Sequence, residues 1–274
     1  MTMVMTAQAT NGIQGYTKIS WRMSENNSGQ ALEVFCTSTT LLTCFGGQLN
    51  LVTDPIYKEK MARYVRYLID EMARLNIDIR LNSEASVGLI KLMNPDVVLL
   101  ATGGTPRVPG FEGLELLHVS NYRDVKVENS IFTGKKIAVI GSGMVCHSTS
   151  RRLSEQGNEV TLIEVLTESA RKISPQTRVK LMEKLKTEDI QVITGHEVSK
   201  IVLDGAILKE QKTSETVMVE VDQVVIAMGV QAYNPLEEPL REVMDHIIVI
   251  GDAAGNTSLA DATRGGFETA YHLA

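Results

Sequence analysis

Residues 135–165 read KKIAVIGSGMVCHSTSRRLSEQGNEVTLIEV. The apolar run Lys135–Ile140 enters glycines, a helical pattern follows over Cys146–Gln156, and Glu159–Glu164 reads as the next strand. Strand, glycine turn, helix and strand in this order, within one βαβ length, are the layout of a dinucleotide-binding unit. Gly141 permits the tight turn out of the strand. Gly143 lets the backbone approach a pyrophosphate with no side chain in the way. Ser142, Met144 and Val145 complete the turn and the helix start, whose N–H groups and positive dipole end face the phosphates. Glu164 closes the second strand, where a carboxylate accepts hydrogen bonds from an adenosine ribose. That carboxylate repels a 2′-phosphate and so favours NAD(H) over NADP(H). Arg171 and Lys172, a few residues on, soften the preference. The third glycine of the usual pattern is replaced by Cys146, which predicts weaker helix–strand packing but a retained site.

Outward from this unit the chain alternates strands and helices, the mark of parallel sheets covered on both faces. Lys58–Leu75 is an amphipathic helix, with Met61, Val65, Leu68, Ile69, Met72 and Leu75 on one face. Ile77–Leu81, Asp96–Thr102, Ile190–Ile193, Val224–Met228 and Ile247–Ile250 are strands. A helix starts near Ser174-Pro175, with Ser as N-cap and Pro in the first turn. Asp204-Gly205 marks a hairpin. Ser258–Leu273 is a final helix. Residues 1–44 show no sustained period, and Gln30–Phe35 reads as a short helix or a strand.

Composition excludes several classes. The net charge of −6 gives no electrostatic reason to bind nucleic acid or an anionic membrane. No apolar run is long enough to span a bilayer. Met1–Gly15 lacks the charged-then-apolar layout of a signal peptide, so the expected location is the cytoplasm. Cys36, Cys44 and Cys146 fit neither a disulfide framework nor a metal site, and no Cys-x-x-Cys redox pair is present. His196, His246 and His272 are scattered without metal-ligand spacing, and His147 at a helix start reads as exposed or capping. No catalytic side chain and no metal site are expected.

Three further segments flank the central unit in order: Gly46-Gly47-Gln48-Leu49-Asn50, Asn94 to Gly103 (NPDVVLLATG), and Val249-Ile250-Gly251-Asp252-Ala253. Together they resemble the C-terminal nucleotide-binding module of old yellow enzyme-like NADH:flavin oxidoreductases, of the 2,4-dienoyl-CoA reductase and trimethylamine dehydrogenase type. That module sits within the wider FAD/NAD(P)-binding pyridine nucleotide-disulfide reductase superfamily. The resemblance covers about residues 45 to 274. It implies an α/β fold in which a Rossmann-like NAD(P)-binding domain, 131–230, is inserted into an FAD/ADP-binding domain of the same type, 45–130 with 231–274. Gly47 and Gln48 then match the loop along the flavin nucleotide, and Thr102 and Gly103 a turn near it. Asp252 matches the acid that accepts from the ribityl or phosphate region, Gly251 allows close approach, and Gly229 belongs to the turn closing the inserted domain.

The family's first βαβ unit, which holds the ADP half of FAD, is not matched. Residues 1–44 offer only Asn11-Gly12-Ile13-Gln14-Gly15 and are expected to be irregular. The catalytic barrel is not matched either, so a separate flavin-barrel chain is a candidate partner. The implied function is an oxidoreductase module passing a hydride from NAD(P)H to a flavin, with FAD weakly held. The alternative is a non-catalytic nucleotide-binding protein that binds NAD(H) without a working flavin.

Overall fold

The computed structural model describes residues 2–7, 31–36, 46–51, 55–75, 77–81, 84–127, 132–141, 143–166, 175–255 and 258–273. The first strands are β1 (Thr2–Ala7), β2 (Ala31–Cys36), β3 (Asp78–Leu81), β4 (Val97–Ala101) and β5 (Gly104–Pro106). There follow β6 (Val119–Asn121), β7 (Lys136–Ile140), β8 (Glu159–Glu164), β9 (Gln191–Thr194) and β10 (His196–Val202). The last are β11 (Gly205–Glu210), β12 (Thr216–Glu220), β13 (Gln223–Ile226), β14 (Val230–Ala232) and β15 (Ile247–Val249). The helices are α1 (Pro55–Arg74), α2 (Val87–Met93), α3 (Tyr122–Val127), α4 (Met144–Glu155), α5 (Pro175–Thr187), α6 (Glu237–Arg241) and α7 (Leu259–Leu273).

Two compact units result. Pro106–Gly229 interrupts the other, which is made of Met1–Thr105 and Val230–Ala274. The inserted unit is larger than the 131–230 expected from sequence. Residues 106–127 join it because β6 pairs in parallel with β13, Val119 opposite Val224.

The inserted unit is built on a parallel sheet of order β6-β13-β7-β8-β9. Alternate residues of its strands point to opposite faces, so an all-apolar run such as Ile137–Ile140 feeds two cores at once. Ile137, Val139, Val160 and Leu162 pack with Leu153 of α4 and Leu185 of α5. Ala138, Ile140, Ile163, Val224 and Ile226 pack on the other face against Val198, Ile201, Ala206 and Leu208. That second layer is the antiparallel sheet β10-β11-β12, whose first turn is at the Asp204-Gly205 pair read as a hairpin. Leu153 and Leu185 are buried, and truncating either to Ala costs roughly 2–5 kcal/mol.

Helix α4 ends where Gly157 takes a φ of +83°. Asn158 then fastens the turn: its amide donates to the carbonyls of Leu153 and Phe132, both at 2.8 Å, and its oxygen accepts from the Lys135 N–H at 3.1 Å. Arg151 and Glu188 form a largely buried ion pair at 2.6 Å that ties α4 to the residues after α5.

The flanking unit holds a second parallel sheet, of order β15-β4-β1-β2-β3. Here the sequence reading of 1–44 as irregular requires correction. Thr2–Ala7 is a strand paired in parallel with both β2 and β4, and Ala31–Cys36 is paired with both β1 and β3. Of the Gln30–Phe35 segment, left open between helix and strand, Ala31–Phe35 is thus strand, and Gln30 lies outside the described residues. The six-residue run TMVMTA is too short for a local pattern to register, and its strand character comes from pairing on both sides. The Asn11–Gly15 loop lies outside the described residues. One core of this unit joins Val98 and Leu100 of β4 to Ile90 of α2, Leu240 of α6 and Ile247 of β15.

The four helices read from the sequence, α1, α4, α5 and α7, start within three residues of their expected positions, whereas α3 and α6 had no sequence reading. α1 begins at Pro55, three residues before the predicted start, in keeping with proline's tolerance in a first turn. Val65 and Met72 are buried, whereas Leu68, placed on the same predicted face, is exposed. α2 was not anticipated; Ser86 caps it by accepting from the Leu89 N–H at 3.2 Å, and Asn94 ends it in the left-handed region. Ser258 starts α7 by accepting from the Asp261 N–H at 3.0 Å.

Candidate dinucleotide-binding site

The C-terminal end of β7 carries the turn that the sequence singled out. Gly141 has a φ of +149°, and a Cβ added there would lie 2.2 Å from the Ala227 carbonyl oxygen. Glycine is required twice over, by conformation and by the close approach of the chain leaving β13. Ala227 holds the approach by donating to the Ile140 carbonyl at 2.8 Å, while Gly141 itself donates across to the Ile163 carbonyl of β8 at 3.0 Å.

Gly143 is different. It is the exposed N-cap of α4, its backbone is extended (φ −93°, ψ 177°), and an added Cβ would meet nothing within 4 Å. Nothing in the fold demands glycine there. What glycine provides is open space directly in front of the first turn of α4, whose initial N–H groups have no acceptor inside the helix. No side chain caps that end. An uncapped twelve-residue helix with a bare backbone before it suits a pyrophosphate, so the residues present fit a dinucleotide. Met144 and Val145 supply two of those N–H groups; Ser142 lies outside the described residues, as do Arg171 and Lys172.

Glu164, the last residue of β8, has a fully buried side chain whose Oε1 accepts from the Leu166 N–H at 2.9 Å. It shares with Gly141, Ile163 and Met228 a cavity of about 720 Å³ at the C-terminal edge of the sheet, the edge at which open α/β sheets bind ligands. Phe111 and Lys209, which sequence reasoning did not single out, and His196, which it named only as a scattered histidine, also line the wall. They arrive from the Pro109–Phe111 loop and the β10–β11 hairpin, and only tertiary packing brings them to Glu164. His196 Nδ1–H donates to the Thr194 carbonyl at 2.7 Å.

Two neighbouring residues follow from burial. Cys146 is fully enclosed in the core between α4 and β7, so its small side chain fills the place of the third glycine without losing the helix packing. Burial pushes its thiol well above the ordinary range, and the Glu164 carboxylate adds to the shift. It is an inert thiol. His147, expected to be exposed or capping, is instead buried, and desolvation lowers its pKa from 6.5 to about 4. The correction has a simple cause: the fourth residue of α4 turns toward the packed side of the helix rather than toward solvent.

In the flanking unit, Gly47 opens a 3₁₀ turn with a φ of +47°, and the Gln48 amide beside it donates to Asp252 at 2.5 Å. Thr102 is buried, and its hydroxyl donates to the Tyr233 carbonyl at 2.5 Å, while the Gly103 carbonyl accepts from the Tyr233 N–H at 3.1 Å. Gly103, Gly229 and Gly251 all have positive φ, at 78°, 86° and 64°. The structure therefore joins Gln48 to Asp252 and fastens Thr102 and Gly103 to the chain after β14. Among the described residues no His, Cys, Asp and Glu cluster could hold a metal ion, and no helix is long and apolar enough to cross a membrane.

Comparison with known proteins agrees with this geometry. The family model described as pyridine nucleotide-disulphide oxidoreductase matches residues 83–265, well over half of the chain. The chain belongs to that family. Bilirubin reductase of Mediterraneibacter gnavus is 31% identical over 236 residues, covering 86% of this chain and 35% of that protein. NADH oxidase of Thermoanaerobacter brockii is 30% identical over 234 residues, with 83% and 36% covered. Among solved structures, 2-naphthoyl-CoA reductase in complex with 2-naphthoyl-CoA superposes with a TM-score of 0.74 at 28% identity, covering 81% of this chain and 34% of that one. The chain thus spans about a third of the length of these relatives, and it is an α/β nucleotide-binding module of the kind carried by old yellow enzyme-like reductases.

Proposed function

We propose that this chain is the nucleotide-binding module of an NAD(P)H-dependent flavoprotein oxidoreductase, with the inserted unit holding the nicotinamide dinucleotide and the flanking unit a flavin nucleotide. The observation that carries the reading is a conjunction: open backbone at Gly143, at an uncapped helix start, two residues after Gly141, which lines a cavity of about 720 Å³ together with the Glu164 carboxylate. The names of the relatives, among them a reductase and an NADH oxidase, support the reaction class.

The roles of the chain's own residues are binding and orientation. The first turn of α4 offers N–H donors and a partial positive charge to the pyrophosphate, worth roughly 0.3–1 kcal/mol for the dipole alone. Glu164 accepts from the ribose hydroxyls and disfavours a 2′-phosphate, which makes NADH the preferred dinucleotide. When bound, the nicotinamide and flavin supply hydride donor and acceptor chemistry themselves. The deciding experiment is calorimetric titration of the purified chain with NADH and NADPH, alongside Gly143→Val. Saturable NADH binding in the parent that disappears in the variant supports the reading; equal binding by both proteins overturns it.

A further inference from the structure

The two parallel sheets are built to one plan. Each has the order outer strand, fourth, first, second, third: β15-β4-β1-β2-β3 in one unit and β6-β13-β7-β8-β9 in the other. The registers allow residue-by-residue correspondence. In the inserted unit Ile140 lies opposite Ile163 on one side and Ile226 on the other. In the flanking unit Thr6 lies opposite Phe35 and Leu100. Beyond Ile226 the chain runs Ala227-Met228-Gly229, and beyond Leu100 it runs Ala101-Thr102-Gly103. The two glycines share their conformation, with φ of 86° and 78°.

The correspondence extends to the second strand. Glu164 is the last residue of β8 and lies opposite Thr194, the last of β9. Cys36 is the last residue of β2 and lies opposite Leu81, the last of β3. Register thus sets Cys36 at the place of Glu164, and Ala7 at the place of Gly141. The two sheets carry the same positions with different chemistry at the one that reads an adenosine ribose.

We propose that the end of β2 at Cys36 sets adenosine recognition in the flanking unit, and that cysteine there leaves the ribose of a flavin dinucleotide without its carboxylate acceptor. A carboxylate accepts two strong hydrogen bonds from a vicinal diol, whereas a thiol is only a weak donor and acceptor. The consequence is asymmetry: the inserted unit grips its dinucleotide at both pyrophosphate and ribose, and the flanking unit holds a flavin mainly by its flavin half, through the Gln48–Asp252 region. The inference rests on the proposed function for the existence of a flavin site, and it names the residue that limits that site's affinity.

The test restores the carboxylate. FAD is titrated by fluorescence quenching into the full chain and into Cys36→Glu, Cys36→Asp and Cys36→Ser, with FMN as the probe lacking adenosine and NADH as the probe of the inserted unit. A carboxylate at this position should tighten FAD by about tenfold, the change in affinity produced by one charge-assisted hydrogen bond. Serine should leave FAD unchanged, and FMN and NADH should be unaffected throughout. The reciprocal Glu164→Cys should weaken NADH by a similar factor and leave FAD alone. Unchanged or weaker FAD binding in both carboxylate variants, with NADH binding intact as the sign of a folded chain, overturns the inference. So does equal tightening of FMN, or FAD binding undetectable in the parent and both carboxylate variants. Absence of NADH binding in the parent would instead bring down the reading of the inserted unit, whatever the FAD titrations show.

Discussion

The side-chain amide of Gln48 donates to the carboxylate of Asp252 at 2.5 Å, across 204 residues of chain. The two come from opposite sides of the inserted unit, so this contact exists only when both parts of the flanking unit are assembled. A half-buried hydrogen bond to a charged acceptor is worth roughly 1.5–3 kcal/mol when fully desolvated and less here. In a double-mutant cycle of Gln48→Ala and Asp252→Ala, followed by urea unfolding, the coupling should be about 1 kcal/mol. Strict additivity of the two single changes would show that the bond contributes nothing to holding the unit together.

Gly141 and Gly143 should separate fold from ligand. At Gly141 an alanine must tolerate a φ of +149° and a 2.2 Å approach to the Ala227 carbonyl, so Gly141→Ala should cost about 2–3 kcal/mol of stability. At Gly143 the backbone is ordinary and the space open, so Gly143→Val should cost no more than about 1 kcal/mol, as an N-cap change. Its effect belongs to the ligand: NADH binding should be lost from a chain that unfolds almost like the parent. A Gly143→Val protein that is strongly destabilised would mean that the open space is not reserved for a phosphate.

Glu164 should govern the choice between nicotinamide cofactors. Glu164→Gln keeps size and one acceptor but removes the charge that opposes a 2′-phosphate. NADH affinity should fall by about tenfold, and the ratio of NADPH to NADH affinity should rise. A parent chain that prefers NADPH by a wide margin would defeat this assignment and transfer the preference to cations such as Lys209 on the cavity wall.

The central motif was legible because its signals are local. An apolar run, two glycines and a carboxylate at the next strand end are all read within residues 135–165, and the structure has the elements in those places. What escaped is non-local. β1 is six residues with a threonine at positions 2 and 6, and only its pairing with β2 and β4 makes it a strand. Residues 106–127 contribute the three-residue β6 and the six-residue α3, too short for periodicity to register, and their membership is set by the β6–β13 pairing. The cavity wall at Phe111, His196 and Lys209 is likewise a product of packing between segments distant in sequence.

Cys146 should be unreactive in the native chain. A buried thiol with a raised pKa offers almost no thiolate at neutral pH. Brief treatment of the native chain with iodoacetamide, followed by peptide mass mapping, should leave Cys146 unmodified until denaturant is added. Rapid native labelling at Cys146 would contradict its enclosure in the core between α4 and β7.

The burial of His147 makes a prediction about acid. Its pKa is lowered from 6.5 to about 4 by desolvation, so the folded chain resists protonation that the unfolded chain accepts. Between those values the unfolded state holds more protons at this site, and stability rises with pH. The contribution is fully present above about pH 6.5 and is lost progressively as pH falls toward about 4. From about pH 7 to about pH 5 the loss from this one group is roughly 2 kcal/mol. Carboxylates titrate in the lower part of the same range, so the comparison that isolates His147 is between the parent and His147→Leu, which cannot take up the proton. Urea midpoints measured at the two pH values should fall less in the variant, by an amount equivalent to about 2 kcal/mol. Parallel pH dependence in the two proteins would mean that the folded chain takes up the proton at His147 as readily as the unfolded chain does, and that burial does not penalise the charged ring.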